Sequence, residues 1–434
     1  MEESIIKNYG KLISDISTLT DEIIHTRSKG VTRVDEKWFC VQCNNQNQQL
    51  FYQYYSRIQK QHIVYCRHCI NLGRMDNVSD IIITKSHQQP SLAHYQLDFE
   101  LTEQQQFASN HILKALKHYQ PLLLYAVTGA GKTEMIFESI QYARRRGDNV
   151  AIVSPRVDVV IEVAKRVKEA FKKENIDVLY QGQSQQYDGH FIISTVHQLY
   201  RYKAHFDFIV VDEVDAFPLS MDENLMQNIT SASKPQHCHV YMTATPPRSL
   251  VQQMTESHIV RLPARYHGYP LPEPRFKYFK VNYNKPQRTL TNYFNIQIHQ
   301  QRFTLVFFNH IDSMLKMYKV YKTQIQHLDY VYSEDPLRFD KVAAFREGTI
   351  QILFTTTILE RGFTKACLDV LVLNSHTFTS SALVQIAGRV GRKIDAPTGS
   401  VMFLHEGITL KMMKAKREIV KMNRLATQRG WVRE

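Results

Sequence analysis

The sequence predicts an α/β protein, two tandem parallel-sheet domains preceded by a small metal-binding module. Three observations carry that expectation. The loop Ala126-Val-Thr-Gly-Ala-Gly-Lys132-Thr133-Glu134 joins a short apolar run, 122–125, to a helical pattern over 135–145. A second apolar run, 208–211, ends in the carboxylates Asp212 and Glu213. Ahead of both stand two C-x-x-C pairs, Cys40/Cys43 and Cys66/Cys69, with 22 residues between them.

A chain of 434 residues has room for about three domains. An apolar share of 43% is enough to give each its own core. Lys and Arg exceed Asp and Glu by 54 − 41 = 13, which suits a polyanionic partner without specifying a fold. The chain opens Met-Glu-Glu-Ser with no apolar stretch behind it, so no secretory leader is expected. No run reaches the roughly 18 apolar residues of a membrane span. The expected compartment is the cytoplasm, where the six cysteines stay out of structural disulfides. The expected division is an N-terminal helical segment and zinc module over 1–95, a nucleotide-binding domain over 96–262, a proline-rich linker over 263–276, and a second domain with a basic C-terminal helix over 277–434.

Taken in order, residues 1–35 read as a packing helix with Ile5, Ile6, Leu12 and Ile13 as its apolar stripe. The doubled C-x-x-C then predicts a structural Zn²⁺ site on Cys40, Cys43, Cys66 and Cys69. Four thiolates fill a tetrahedron and leave no position for a catalytic water, and His68 is not needed. Between the pairs, Tyr52, Tyr54 and Tyr55 alternate toward Arg57 and Lys60. That pattern fits either base stacking or a strand pair covering a zinc ribbon. Residues 77–91 read as a connector.

Thr102 and Gln105 have the spacing of a capping box that opens a helix. The phosphate loop follows. Gly129 and Gly131 let successive N–H groups turn inward around a polyphosphate, and the helix start adds its free N–H groups. Thr128, Gly129, Ala130, Gly131, Lys132, Thr133 and Glu134 therefore form the nucleotide cradle. Lys132 reaches the outer phosphates and the Thr133 hydroxyl binds Mg²⁺. Ala126 stands where the usual pattern has its first Gly.

Ser154-Pro155-Arg156 and Thr195-Val-His-Gln-Leu-Tyr200 each follow a buried-looking strand, where doubly wound sheets bind ligands. Both are candidates for contacts to a phosphate backbone. Asp212 is expected to hold Mg²⁺ and Glu213 to take the proton of an attacking water. The hydroxyls of Thr243 and Thr245 are expected to bond the Asp212–Asp215 stretch. Pro263, Pro270, Pro272 and Pro274 make a stiff connector. A second α/β pattern then runs from the strand at 304–308 to the glycine stop at Gly362. Arg389 and Arg392, three apart and flanked by Gly388 and Gly391, share one face if the segment is helical. Two guanidiniums delivered to a γ-phosphate make an arginine-finger arrangement; a solvated basic face is the commoner meaning of such a pair. Residues 411–434 read as a packing helix with a basic face.

In order, Gln105, Gly-Ala-Gly-Lys-Thr at 129–133, Ser-Pro-Arg at 154–156, Asp-Glu-Val-Asp at 212–215, Thr-Ala-Thr at 243–245, Thr-Thr-Thr through Arg-Gly at 355–362 and Gln through Gly-Arg-Val-Gly-Arg at 385–392 resemble the motifs of superfamily 2 helicases. The resemblance spans roughly residues 100 to 395, with Gln385 where many relatives carry His. With a four-cysteine module ahead of the motor and the run Asp-Glu-Val-Asp-Ala-Phe-Pro, the chain is similar to the late competence protein ComFA family. The resemblance implies two RecA-like domains and an ATPase stimulated by single-stranded DNA. It also implies Gln105 and Gly362 at the nucleotide, and Lys132, Asp212, Glu213, Arg389 and Arg392 as the catalytic set. Its implied partners are single-stranded DNA, the competence channel at the inner membrane face and a phosphoribosyltransferase-like protein, with self-association left open. The implied cofactors are ATP, Mg²⁺ and Zn²⁺. Primosomal replication-restart helicases, an RNA remodeller and a non-hydrolysing DNA scaffold are the alternatives. The first carries its zinc cysteines inside the motor, unlike this chain.

Overall fold

The computed structural model describes residues 7–14 and 21–433. It divides into two compact units. The first comprises Met1–Leu101, Gln106–Tyr125 and Thr133–Val260; the second comprises Thr102–Gln105, Ala126–Lys132 and Arg261–Glu434.

The N-terminal stretch is built from strands: β1 (Leu12–Ile13), β2 (Ile24–Lys29), β3 (Val31–Val34), β4 (Lys37–Cys40), β5 (Phe51–Ser56), β6 (Gln61–Cys66) and β7 (Asp80–Thr84). The expected helix is corrected here, since Leu12 and Ile13 pair antiparallel with Ile83 and Ile82 of β7. Ile5 and Ile6 lie outside the described residues. Part of the expected connector is likewise β7, the central strand of the sheet β1-β7-β2, because Ile81 and Ile82 are buried at its middle. Three consecutive isoleucines favour a strand more than a coil. The pairs β3–β4 and β5–β6 are antiparallel hairpins, and each ends on a cysteine, Cys40 and Cys66.

The nucleotide-domain pattern folds as α1 (Glu103–Lys117), β8 (Leu122–Ala126), α2 (Phe137–Arg146), β9 (Val150–Ser154), α3 (Val157–Ala170), β10 (Asp177–Leu179), β11 (Phe191–Thr195), β12 (Phe206–Asp212), α4 (Glu223–Ala232), β13 (Ser233–Thr243), α5 (Arg248–Gln253) and β14 (Ile259–Leu262). The sheet order is β10-β11-β9-β12-β13-β8-β14. Pairing is parallel from β10 through β8. Every residue of β12 is buried, which is why this strand reads as an unbroken apolar run. Fully burying a side chain such as Ile209 or Val211 contributes about 1.5–3 kcal/mol. α3 buries Val159, Val160, Val163, Ala164 and Val167, the 3–4 spacing of one helix face.

The second unit carries β15 (Arg275–Tyr278), α6 (Arg288–His299), β16 (Phe303–Phe307), α7 (Ile311–Tyr321), β17 (Leu328–Val331), α8 (Arg338–Glu347), β18 (Ile352–Thr355), β19 (Leu368–Val372), α9 (Ser380–Ala387), β20 (Val401–His405) and α10 (Leu410–Gln428). Its six strands pair in parallel in the order β15-β20-β19-β16-β18-β17. Leu290, Phe294, Met314 and Phe354 are among its core residues. The two parallel sheets are RecA-like, as the sequence class requires.

Candidate nucleotide-binding loop, carboxylate strand end and metal centre

In the first unit, the cysteine hairpins converge. The four Sγ atoms of Cys40, Cys43, Cys66 and Cys69 lie within 4.8 Å of one another, and all four residues are buried. Cys40 approaches Cys69 and Cys43 approaches Cys66 at 3.6 Å each, the edge length of a sulfur tetrahedron around an ion with ~2.3 Å bonds. Contacts with the neighbouring thiols, Cys40 first, and after them burial push the thiols of Cys43 and Cys69 up, so the cluster needs a cation before all four can ionise. The donor set and its geometry suit Zn²⁺. Asn45 Nδ2 donates to Cys66 Sγ at 3.8 Å, and Lys203 Nζ donates to Asn44 Oδ1 at 3.1 Å beside the first C-x-x-C turn. His68 stands apart from the ligand set, with its Nε2 3.6 Å from Asp222 Oδ2.

The same unit places the carboxylates. Asp212 ends β12, is 7% exposed and accepts the backbone N–H of Glu213 at 2.9 Å. Glu213 has φ +54°, a left-handed conformation that costs a non-glycine residue stability and persists where packing fixes it. Thr243 Oγ1 donates to Asp215 Oδ1 at 2.6 Å, and Thr245 Oγ1 donates to Asp215 Oδ2. The expected hydroxyl link is therefore present, and Asp215 is its receiver. Glu134 opens the turn before α2 and pairs with Arg166 at 3.1 Å. Arg156 pairs with Asp158 at 3.2 Å, and Thr195 ends β11.

In the second unit, Thr102 and Gln105 form the expected capping box, Thr102 N donating to Gln105 Oε1 at 3.0 Å. The Gln105 amide donates in turn to the carbonyls of Ala130 at 3.2 Å and Gly131 at 3.3 Å, which ties the cap to the phosphate loop. Gly129 and Gly131 have φ +82° and +72°, the values that make glycine necessary there. Thr128 Oγ1 donates to Gly388 O at 3.2 Å, and a Cβ on Gly388 would meet that hydroxyl at 2.0 Å. Gly388 thus admits the loop. Thr133, next after Lys132, is largely buried.

The helix carrying Gln385 stops at Ala387, so Arg389 and Arg392 do not share a helical face. Gly388 caps α9 and Gly391 takes φ +67°, turning the chain out of the helix. Arg389 is 2% exposed and donates to the carbonyls of Glu360 at 2.7 Å and Phe363 at 2.6 Å. Arg392 Nε donates to Gly388 O at 2.9 Å. Gly362 has φ +67°, and its carbonyl accepts from Arg346 at 3.4 Å.

One residue escaped the sequence reading. Arg265 sits in the proline-bearing connector yet is 1% exposed, with Nη1 donating to Gly391 O at 2.6 Å. Its Nε and Nη2 are buried without a hydrogen-bond partner, and its side chain lies over Gly129. Burial, then the charge of Arg392, pushes it down to about 9. An arginine in an aperiodic connector gives no pattern signal; only packing reveals it.

Three descriptions of known families match the chain in succession. They are the competence protein ComFA N-terminal domain over residues 11–83, the type III restriction enzyme res subunit over 98–248, and the helicase conserved C-terminal domain over 285–393. The chain is similar to competence protein ComFA of Bacillus subtilis, 37% identical over 415 residues, which covers 93% of this chain and 89% of that one. It is also similar to competence protein ComFA of Streptococcus pneumoniae, 34% identical over 404 residues, covering 90% and 91%. A replication restart protein PriA of Helicobacter pylori is 25% identical over only 36% of this chain and 27% of its own. Among solved structures, Saccharomyces cerevisiae Dbp5 bound to RNA and ADP BeF3 superposes with TM-score 0.51 at 14% identity, over 74% of this chain and 91% of that one. RecG bound to a three-way DNA junction gives TM-score 0.53 at 18% identity, over 76% and 47%. These two likenesses establish the fold. Among the described residues, no helix is long and apolar enough to cross a membrane.

Proposed function

The chain belongs to the competence protein ComFA family, a group of helicase-like ATPases, and on that premise we propose that it is an ATP-driven motor that moves single-stranded DNA during DNA uptake in natural transformation. The observation that carries this reading is one sheet with two functional strand ends. Strand β8 runs into the phosphate loop, and the parallel strand β12 ends in Asp212-Glu213. Thr128 through Glu134 wrap the phosphates, and Gln105 reads the adenine from the cap that already grips Ala130 and Gly131. Lys132 neutralises the outer phosphates, and Thr133 and Asp212 would hold Mg²⁺, which lends its charge to the transferring phosphoryl group. Glu213 takes the proton of the attacking water. Arg389, Arg392 and Gly362 complete the nucleotide site, the two arginines stabilising charge that develops on the γ-phosphate. Arg265, buried over Gly129, adds a fixed positive charge beside the loop. Asp215, held by Thr243 and Thr245, transmits nucleotide state to the rest of the first unit. Zn²⁺ on the four cysteines holds the two hairpins together.

Its domains on this reading are the zinc module up to residue 95, the ATP-binding domain over 96–262, the linker over 263–276 and the second motor domain over 277–434. Its partners are single-stranded DNA, the membrane channel for DNA uptake and a phosphoribosyltransferase-like competence protein. It works in the cytoplasm against the membrane face, with self-association left open.

The test measures phosphate release without nucleic acid and with single-stranded DNA, duplex DNA and RNA, in the parent protein, Lys132→Ala and Glu213→Gln. Stimulation by single-stranded DNA, lost in both variants, supports the motor. Equal stimulation by RNA points to a general remodeller, and no hydrolysis in any arm leaves a binding scaffold.

A further inference from the structure

A groove of about 1020 Å³ runs through the first unit where the second C-x-x-C knuckle meets the loops after β9 and β11. His68 and Asn71 line it from the knuckle; Thr195, His197, Gln198 and Tyr200 line it from the loop after β11. His68 and His197 each stand edge-on to the Tyr200 ring, with centroids 6.3 and 6.5 Å away. Tyr200 is 2% and Gln198 5% exposed, yet the Tyr200 hydroxyl, Gln198 Oε1 and His68 Nδ1 have no hydrogen-bond partner. Leaving such groups unpaired costs about 1–3 kcal/mol each, so this wall is built to bond something. The lining holds one arginine and one aspartate, Arg201 and Asp222. That balance is poor for a triphosphate or a duplex backbone. It suits a single strand, whose bases stack on rings and bond to amides while one phosphate per nucleotide passes a cation. The loops themselves follow the carboxyl ends of parallel strands, where such sheets bind ligands.

We propose that the zinc knuckle is one wall of a groove that holds a single-stranded polynucleotide, with Asn71 and His68 touching the strand. The proposal rests on the nucleic-acid motor reading and extends it. The metal then does more than fold the module, because Cys66 and Cys69 set the position of a binding wall.

Asn71 is exposed, so its substitution spares the core. Binding of labelled oligo(dT) and oligo(rU) to the zinc-loaded full chain is followed by anisotropy over a salt series for the parent, Asn71→Arg and Asn71→Asp. Zinc content and melting temperature confirm that each variant is folded. Asn71→Arg is expected to tighten binding several-fold and to steepen the slope of log affinity against log salt by about 0.7, the increment for one added phosphate contact on a single strand. Asn71→Asp is expected to weaken binding several-fold. A response with oligo(dT) alone assigns the groove to DNA, and a response with both probes assigns it to the chemistry they share. Affinity and slope unchanged in both variants would overturn the proposal. Failure of the parent itself to bind either probe overturns the motor reading instead.

Discussion

Replacing Arg265 by Met should leave the nucleotide-free protein as stable as before or more so, contrary to the usual result of cutting a buried side chain. The guanidinium makes one hydrogen bond, from Nη1 to Gly391 O at 2.6 Å, and holds Nε and Nη2 buried and unpaired. The bond from a charged donor contributes about 1.5–3 kcal/mol, and the two orphaned donors cost about 1–3 kcal/mol each. Met removes both and keeps most of the apolar packing over Gly129. The balance runs from about 1 kcal/mol destabilising to about 4 kcal/mol stabilising, most of it on the stabilising side, comparable with replacing buried ionic groups by apolar ones. For a unit of this size each kcal/mol moves the melting temperature by about 2–4 °C. The assay is differential scanning fluorimetry with and without a non-hydrolysable ATP analogue. The parent should gain stability with the analogue by mass action, about 2.7 kcal/mol at a hundredfold excess over Kd. Arg265→Met should gain less, because the charge beside the phosphate loop is gone. A nucleotide-free melting temperature more than about 4 °C below the parent's would refute this reasoning, since it would mean that the Nε and Nη2 donors are in use.

Two further outcomes follow from the same geometry. Chelating the metal, or changing Cys43 to Ser, should unfold the module that holds both hairpins, because a four-thiolate zinc site contributes on the order of 10 kcal/mol of folding energy. Metal analysis with thermal melting checks this, and an unchanged melting curve after verified metal loss would contradict it. Acid should destabilise the first unit through His239, which burial, then the charge of His237, pushes down to about 3. The ring is neutral in the fold, bonded to Ser233 Oγ at 2.7 Å and Tyr241 Oη at 3.2 Å. The unfolded chain binds the extra proton between about pH 6.5 and 3, so this stability is complete above pH 6.5 and is lost as pH falls, at up to about 1.4 kcal/mol per pH unit. His190, pushed down to about 4 mainly by burial, adds to the same window. Urea midpoints at pH 7, 6 and 5 should fall less steeply in His239→Gln, and identical slopes would show that His239 does not titrate in this range.

What could be read from the chain was whatever local chemistry dictates. The C-x-x-C spacing specifies a thiolate tetrahedron because each turn presents two sulfurs on one side, and the four Sγ atoms converge as that spacing requires. The capping box at Thr102 and Gln105 and the glycines of the phosphate loop are equally local, and both stand where the sequence put them. The buried run of β12 signals a central strand by composition alone. The failures share a cause. Leu12 and Ile13 became strand because Ile82 and Ile83, some 70 residues on, offered a sheet edge, a partner that no window of residues 1–35 contains. Arg389 and Arg392 left the helical face because the helix ends at Gly388, which makes room for the Thr128 hydroxyl, and Gly391 at φ +67° makes the turn that follows. Arg265 lay hidden in a segment read only for its prolines. Its importance comes from Gly129 and Gly391, residues far away in sequence that the fold brings to it. The part of the proposed nucleotide site invisible to pattern is therefore the part made by tertiary packing, and Arg265→Met probes it most directly.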